Sequence, residues 1–67
     1  MQPDRLIQLM TPDEAARLLR VTPATLATWR ARHTGPAYVK IGHAVRYRPS
    51  DLEAFVGGRR VGTRAQA

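Results

Sequence analysis

Residues 11–33 read TPDEAARLLRVTPATLATWRARH and contain the same local signal twice, first at Thr11-Pro12 and again at Thr22-Pro23. In each pair the threonine hydroxyl can cap a helix N-terminus, and the proline suits the first helical position, where a missing N–H costs nothing. Glu14 follows Thr11 at the spacing of a capping box. The stretch therefore predicts two short helices that begin one after the other.

The two predicted helices span residues 12–20 and 23–33. Only Val21 and a cap residue separate them, so they cannot run antiparallel and must cross steeply, as in a helix-turn-helix. The second helix of that motif enters the major groove of DNA, and bulky side chains would hold its backbone away from the base edges. Small and polar side chains lie opposite the buried Leu26, namely Ala24, Thr28, Ala31 and Arg32. This face predicts groove contact, and an ordinary solvated face is the alternative.

Residues 38–47 alternate apolar and polar side chains around a central glycine, which predicts a β-hairpin. The register that turns the apolar side chains of both strands inward pairs Ile41 with Val45 and leaves a three-residue loop. It also places Lys40 opposite Arg46. Because like charges directly opposite each other destabilise a hairpin, this register predicts that an anion binds between them.

A third helix is predicted over residues 50–56, where Ser50 and Glu53 repeat the capping-box spacing and Gly57-Gly58 follows as a stop signal. The expected fold class is mainly α with a small β-hairpin, a winged helix-turn-helix. The predicted organisation has three parts: a flexible N-terminus (1–8), the folded domain (9–56) and a basic tail without fixed structure (57–67).

The charge pattern indicates a polyanionic partner. The chain carries a net charge of +6, and residues 15–50 contain no acidic residue but seven basic ones: Arg17, Arg20, Arg30, Arg32, Lys40, Arg46 and Arg48. A basic block of this length favours nucleic acid over a surface designed only for solubility. A basic surface without a partner is the alternative.

An enzyme is disfavoured by the residue types present. The chain has no cysteine, and its histidines, His33 and His43, have no ligand partners at metal-binding spacing. We therefore expect no metal and no cofactor. No apolar run approaches the ~18 residues of a membrane span, so we expect a cytoplasmic protein without a membrane partner.

The segments LMTPDEAARLLRVTPATLATWR (9–30) and GPAYVKIGHAVRYRPSDLEAF (35–55), taken in order, resemble the excisionase and MerR-like winged helix-turn-helix family. The resemblance implies major-groove recognition by the second helix and contact by the hairpin, or wing, beside it. Family members often carry basic or bulky residues just after the second N-cap, where this chain has Pro23 and Ala24. That departure moves the expected base reading to Thr28, Arg32 and the arginines around them.

The candidate DNA-binding residues form three groups. Those of the recognition helix are Thr22, Ala24, Thr25, Thr28, Arg30, Ala31 and Arg32. Those of the wing are Lys40, Gly42, His43, Arg46 and Arg48. Those of the first helix and the tail, predicted to bind DNA or a partner protein, are Arg17, Arg20, Arg59, Arg60 and Arg64. Arg30 lies on the inner side of its helix, where it either reaches a phosphate or pairs with an acid such as Asp51.

Within the family, the short chain favours excisionases over MerR-type regulators, which add a dimerisation helix and an effector-binding region. The expected partners are double-stranded DNA, a phage integrase and further copies bound cooperatively on the same DNA, with no small-molecule effector. The resemblance implies that such a protein binds repeated sites, bends DNA and directs the integrase toward excision, at the nucleoid of a bacterial host cell. A small transcriptional regulator of the same fold is the main alternative, and an adaptor that binds only proteins is another.

Overall fold

The computed structural model describes residues 8–59. The elements follow in the order α1 (Pro12–Leu19), α2 (Pro23–Ala31), β1 (Val39–Ile41), β2 (Ala44–Arg46) and α3 (Pro49–Gly58). Three helices with one antiparallel hairpin after the second helix confirm the predicted winged helix-turn-helix. The flexible N-terminus and the tail were predicted for segments that, apart from Gln8 and residues 57–59, lie outside the described residues.

The N-terminus of α1 has the predicted capping box. The Thr11 hydroxyl accepts a hydrogen bond from the Glu14 backbone N–H at 3.1 Å, and the Glu14 carboxylate accepts one from the Thr11 N–H at 2.9 Å. Two otherwise unpaired N–H groups of the helix start are thereby satisfied. This end of α1 follows from local sequence alone.

The turn between α1 and α2 depends on a left-handed arginine. Arg20 has φ 61° and ψ 39°, and its N–H donates to Arg17 O at 3.1 Å, while Val21 N–H donates to Ala16 O at 2.9 Å. This pair of bonds is a Schellman motif, which normally has glycine at the left-handed position. It ends α1 at Leu19, one residue earlier than predicted.

The C-terminus of α2 uses the same motif. His33 has φ 58° and donates its N–H to Arg30 O at 3.1 Å, and Thr34 N–H donates to Trp29 O at 2.8 Å. The helix ends at Ala31, so its predicted extension to His33 is wrong. His33 already belongs to the cap and is exposed.

The predicted register of the wing is wrong. The observed pairs are Val39 with Arg46, Lys40 with Val45, and Ile41 with Ala44, which leave a two-residue loop. Gly42 has φ 62°, whereas His43 is not among the residues of positive φ. Positive φ at the first loop residue alone suits a type II′ turn, whose twist matches that of the flanking strands.

A third segment reinforces this register. Tyr47, just beyond β2, forms a bridge with Met10, in which each backbone N–H donates to the other residue's carbonyl at 2.8 Å. Val45 then packs against the core and Tyr47 is completely buried. The side of the hairpin that carries Val45 and Tyr47 faces the core. Ile41 lies on the other side, and its side chain is 57% exposed.

The corrected register also removes the expected charge clash in the wing. Lys40 lies opposite Val45, and Arg46 lies opposite Val39. The two cations are therefore not cross-strand partners, and the argument for an anion bound between them no longer holds.

The third helix begins and ends differently from the prediction. Arg48 is its N-cap and makes no side-chain cap hydrogen bond, so the predicted Ser50–Glu53 capping box is wrong. Pro49 occupies the first turn, where its fixed φ favours an earlier start. The helix continues through Gly57 and Gly58, since two glycines weaken a helix without preventing it.

The core takes at least one side chain from each helix and from the wing. Its buried members are Ala15, Ala16, Leu26, Tyr47 and Leu52. Trp29 is half-buried and packs on Phe55, with ring centroids 5.2 Å apart and planes at 49°. Leu18 and Val56 lie outside this core and are 62% and 53% exposed, because so small a core is filled without them. Among residues 8–59, no helix is long and apolar enough to cross a membrane.

Candidate nucleic-acid interface

The outer face of α2 is a continuous stripe of small residues. Ala24, Ala27, Thr28 and Ala31 are all exposed and follow the i, i+3, i+4, i+7 spacing of one helix face. Ala27 was not among the predicted site residues, although this spacing identifies it. Arg32 follows at the C-cap and is exposed as well. The stripe leaves room for the helix to approach a groove floor closely.

The N-terminus of α2 uses two of the predicted site residues in its cap. The Thr22 hydroxyl accepts from the Thr25 N–H at 3.1 Å and lies 2.9 Å from the Thr25 hydroxyl. One of the two hydroxyl hydrogens is engaged between the oxygens, so the other can donate to an acceptor such as a phosphate oxygen. An acceptor here would also lie at the positive end of the helix dipole.

Arg30 connects the recognition helix to the wing. It is half-buried, and its Nη1 donates to the hydroxyl of the buried Tyr47 at 3.0 Å. The alternative pairing with Asp51 is wrong, because Asp51 is paired with Arg48. Arg30 thus supports the angle between α2 and the wing. Only its Nη1 is engaged in this contact, so its other guanidinium nitrogens can still donate to a phosphate.

The predicted wing residues divide into exposed and internally bonded ones. Lys40, Gly42 and His43 are exposed at or near the hairpin tip. Arg46 is half-buried, and its Nη1 donates to the adjacent Val45 carbonyl at 2.7 Å. The guanidinium of Arg46 is therefore held along its own strand, whereas Lys40 can extend outward.

Two arginines at the ends of α3 have partners within the domain. Arg48 Nε lies 3.3 Å from Asp51 Oδ2 in an ion pair. The guanidinium of Arg59 lies over the Phe55 ring, with its central carbon 4.7 Å from the centroid. Both contacts are partly exposed to solvent. Each weakens the binding of a phosphate by its arginine, because the side chain would first have to leave its present partner.

The remaining cationic side chains of residues 8–59 are exposed and form no hydrogen bond or ion pair within the described part of the chain. They are Arg17, Arg20, Arg32 and Lys40. They come from α1, the turn, the end of α2 and the wing, so every element of the winged helix-turn-helix before α3 contributes to the interface candidates. Arg60 and Arg64, the predicted tail contacts, lie outside the described residues.

Two of the four acidic residues among residues 8–59 are already used within the fold, Asp13 lies in the first turn of α1, and Glu53 is exposed in α3. Glu14 closes the α1 capping box and Asp51 pairs with Arg48. Within residues 8–59 no group of three histidine, cysteine, aspartate or glutamate side chains could hold a metal ion. The arrangement offers hydrogen-bond donors and positive charge to an anionic ligand.

The comparison with known families agrees with this architecture. A family model described as a helix-turn-helix domain matches residues 9–60, most of the chain. No curated protein and no solved structure matches the chain significantly. Domains of this kind typically bind double-stranded DNA and are typically not enzymes. The chain belongs to the helix-turn-helix domain family.

Proposed function

We propose that the protein is an architectural DNA-binding protein that acts as the excisionase of a phage or other mobile element. It binds repeated sites, bends the DNA and directs an integrase toward excision, within the cytoplasm of a bacterial host. Its partners in this role are double-stranded DNA, the integrase and further copies of the chain bound cooperatively beside it.

The observation that carries the proposal is the small number of base-reading groups on α2. Three of the four side chains in its outer stripe are alanines, and only Thr28 and the neighbouring Arg32 can exchange hydrogen bonds with base edges. Alanine can contact a thymine methyl group but reads little else. Such a helix supports modest sequence preference.

The positive charge outside that stripe supports tight contact with the DNA backbone. Arg17, Arg20 and Lys40 are exposed without partners among residues 8–59, in α1, the turn and the wing. Contacts to phosphates position a protein and supply most of its sequence-independent affinity. Strong backbone binding with modest base reading suits a protein that shapes DNA between other proteins.

The excisionase role is tested by footprinting on the DNA that flanks the protein's own reading frame, followed by bending and excision assays with the neighbouring integrase. We expect several protected sites, a bend measured by energy transfer between labelled DNA ends, and excision that depends on the protein. One isolated operator, no bend and no effect on the integrase would contradict the proposal.

A transcriptional regulator of the same fold is the second candidate. It is favoured by Thr28 and Arg32, which are both exposed and lie about one helical turn apart at the C-terminal end of α2. Those two side chains could read a single operator. A promoter-located site and altered transcript levels without any effect on recombination would support this function instead. Absence of any mobility shift at low salt would favour the protein-only adaptor.

The role of Arg32 is tested by comparing two substitutions. Arg32→Ala is expected to weaken binding by about 5-fold or more with an unchanged fold, because the side chain is exposed. Arg32→Lys keeps the charge but loses the planar guanidinium with its paired donors. If Arg32 contacts a phosphate, the lysine variant is expected to bind nearly as tightly as wild type; if Arg32 contacts a guanine, it is expected to bind as weakly as Arg32→Ala. Wild-type affinity in both variants would exclude Arg32 from the interface.

A further inference from the structure

Ile41 is an apolar side chain that the fold places at the wing tip and leaves uncovered. It forms the last pair of the hairpin with Ala44, next to the two-residue loop, and is 57% exposed. The opposite side of the hairpin supplies the core through Val45 and Tyr47. Folding of this domain therefore does not account for an aliphatic side chain at this point.

The exposed neighbours of Ile41 are small or polar, and one of them, Lys40, is cationic. Ala44, its cross-strand neighbour, leaves the isoleucine standing above the strand surface. Lys40 and His43 are exposed on either side along the chain, and the segment 15–50 contains no acidic residue. An apolar tip on a cationic hairpin suits a ligand that is anionic outside and apolar inside.

Nucleic acid has that character in its minor groove. Phosphates line the groove edges, and the stacked base pairs between them are apolar. Proteins that bend DNA through this groove commonly insert an isoleucine, leucine or phenylalanine side chain between two base pairs, while basic side chains hold the backbone. A narrow hairpin tip with one projecting aliphatic group has the required shape.

We propose that Ile41 is a wedge that the wing inserts into the minor groove, partly unstacking one base step and bending the DNA. The inference rests on the proposed DNA-binding function and specifies how the wing contributes to it. Lys40 holds the phosphate at the groove edge, and the wedge prefers flexible pyrimidine–purine steps because these unstack most easily.

The test uses duplexes of about 30 base pairs, long enough for one domain with flanking DNA. They carry a footprinted sequence and 2-aminopurine at successive positions across the wing contact. The fluorescence of this adenine analogue rises when it unstacks. Wild type is expected to raise the signal at one step and to bend the duplex, measured by energy transfer between its ends. Ile41→Ala is expected to lose the rise, at least half of the bend and about 10-fold in affinity, in line with the role of such wedges.

Two controls separate the wedge from general effects. Val56→Ala removes a similarly exposed aliphatic side chain, 53% exposed on α3, and is expected to leave affinity, bend and fluorescence unchanged. A duplex with a mismatch at the responsive step is already partly unstacked, which lowers the cost of inserting Ile41, so the affinity difference between wild type and Ile41→Ala is expected to grow on it. Thermal unfolding of both variants is expected to match wild type, since both side chains are largely exposed.

The outcomes distinguish failure of the wedge from failure of DNA binding. Binding and bending by wild type with no fluorescent position, or with Ile41→Ala indistinguishable from wild type, would overturn the wedge alone. Absence of binding by wild type at low salt, on these duplexes and on unrelated ones, would overturn the proposed function together with the wedge.

Discussion

Arg30 reaches from α2 to the wing, where its Nη1 donates to the Tyr47 hydroxyl at 3.0 Å. Tyr47 is fully buried, and its backbone is also paired with Met10. Tyr47 thus links the end of the wing to α2 through its hydroxyl and to the segment before α1 through its backbone. This contact supports the relative position of α2 and the wing.

Removal of this contact is expected to loosen the domain measurably. Tyr47→Phe leaves a half-buried guanidinium without its acceptor, and the free energy of unfolding is expected to fall by about 1 kcal/mol. Denaturant unfolding of Tyr47→Phe, Arg30→Met and the double variant measures the coupling between the two side chains. Tyr38→Phe is the control, since Tyr38 is 39% exposed and is expected to change stability little. Additive effects of Tyr47→Phe and Arg30→Met would contradict the coupling.

Gly35 is required by close packing on Trp29 and by its own backbone. It has φ 84°, and a Cβ atom there would lie 2.8 Å from Trp29 Cβ. Gly35→Ala combines backbone strain with overpacking and is expected to destabilise the domain by about 2 kcal/mol or more. Gly57→Ala, at a helical site with open space around the added atom, is expected to stabilise by about 0.5–1 kcal/mol. Equal effects of the two substitutions in thermal unfolding would contradict this account.

At the scale of elements, α1 and α2 begin and end by the same devices. Both have threonine N-caps followed by proline, and both end in Schellman motifs with a non-glycine residue in the left-handed region, Arg20 and His33. Non-glycine residues carry strain in that conformation. Both caps therefore carry strain that glycine would relieve.

Glycine at these two positions is expected to separate stability from binding. Arg20→Gly and His33→Gly each relieve left-handed strain, and each is expected to raise the free energy of unfolding by about 0.5–1 kcal/mol, after the greater freedom of the unfolded chain is subtracted. Arg20→Gly also removes an exposed cation, so it is expected to lower the DNA affinity. His33→Gly is expected to leave the DNA affinity unchanged. Denaturant unfolding and mobility-shift titrations measure the two properties. Unchanged affinity of Arg20→Gly would remove Arg20 from the proposed interface.

The wing shows how little of an element's geometry its own pattern determines. Its strands have only three residues each, so alternation of apolar and polar side chains admits two registers. Turn geometry at Gly42 and the pairing of Tyr47 with Met10 favour the register that exposes Ile41. The element's functional surface therefore follows from its neighbours and its loop.

For the whole molecule, charge is the property that most directly affects binding. The net charge of +6 and the exposed cations favour contact with about 4–6 phosphates. For this number of contacts, a plot of log affinity against log salt concentration is expected to have a slope of about −4 to −5. Lys40→Gln is expected to reduce the slope by about 1, and Arg48→Gln by clearly less, because Asp51 already neutralises Arg48. A nearly flat salt dependence would contradict the proposed backbone contacts.

The sequence by itself determined the features that depend on residues close together in the chain. The helix starts at Pro12 and Pro23 follow from threonine hydroxyls that accept a hydrogen bond from the backbone N–H three residues ahead. The basic block is a property of the residue order alone. These interactions need no distant partner. The helix-turn-helix was therefore predictable before the structure was known.

Only the tertiary structure decided which side chains face each other across the fold. Arg30 meets Tyr47, seventeen residues away, and Tyr47 pairs with Met10 near the other end of the domain. Those contacts set the wing register and leave Ile41 exposed. The physical reason is that competing registers and pairings have similar local energies, so the choice among them depends on which one completes a small shared core.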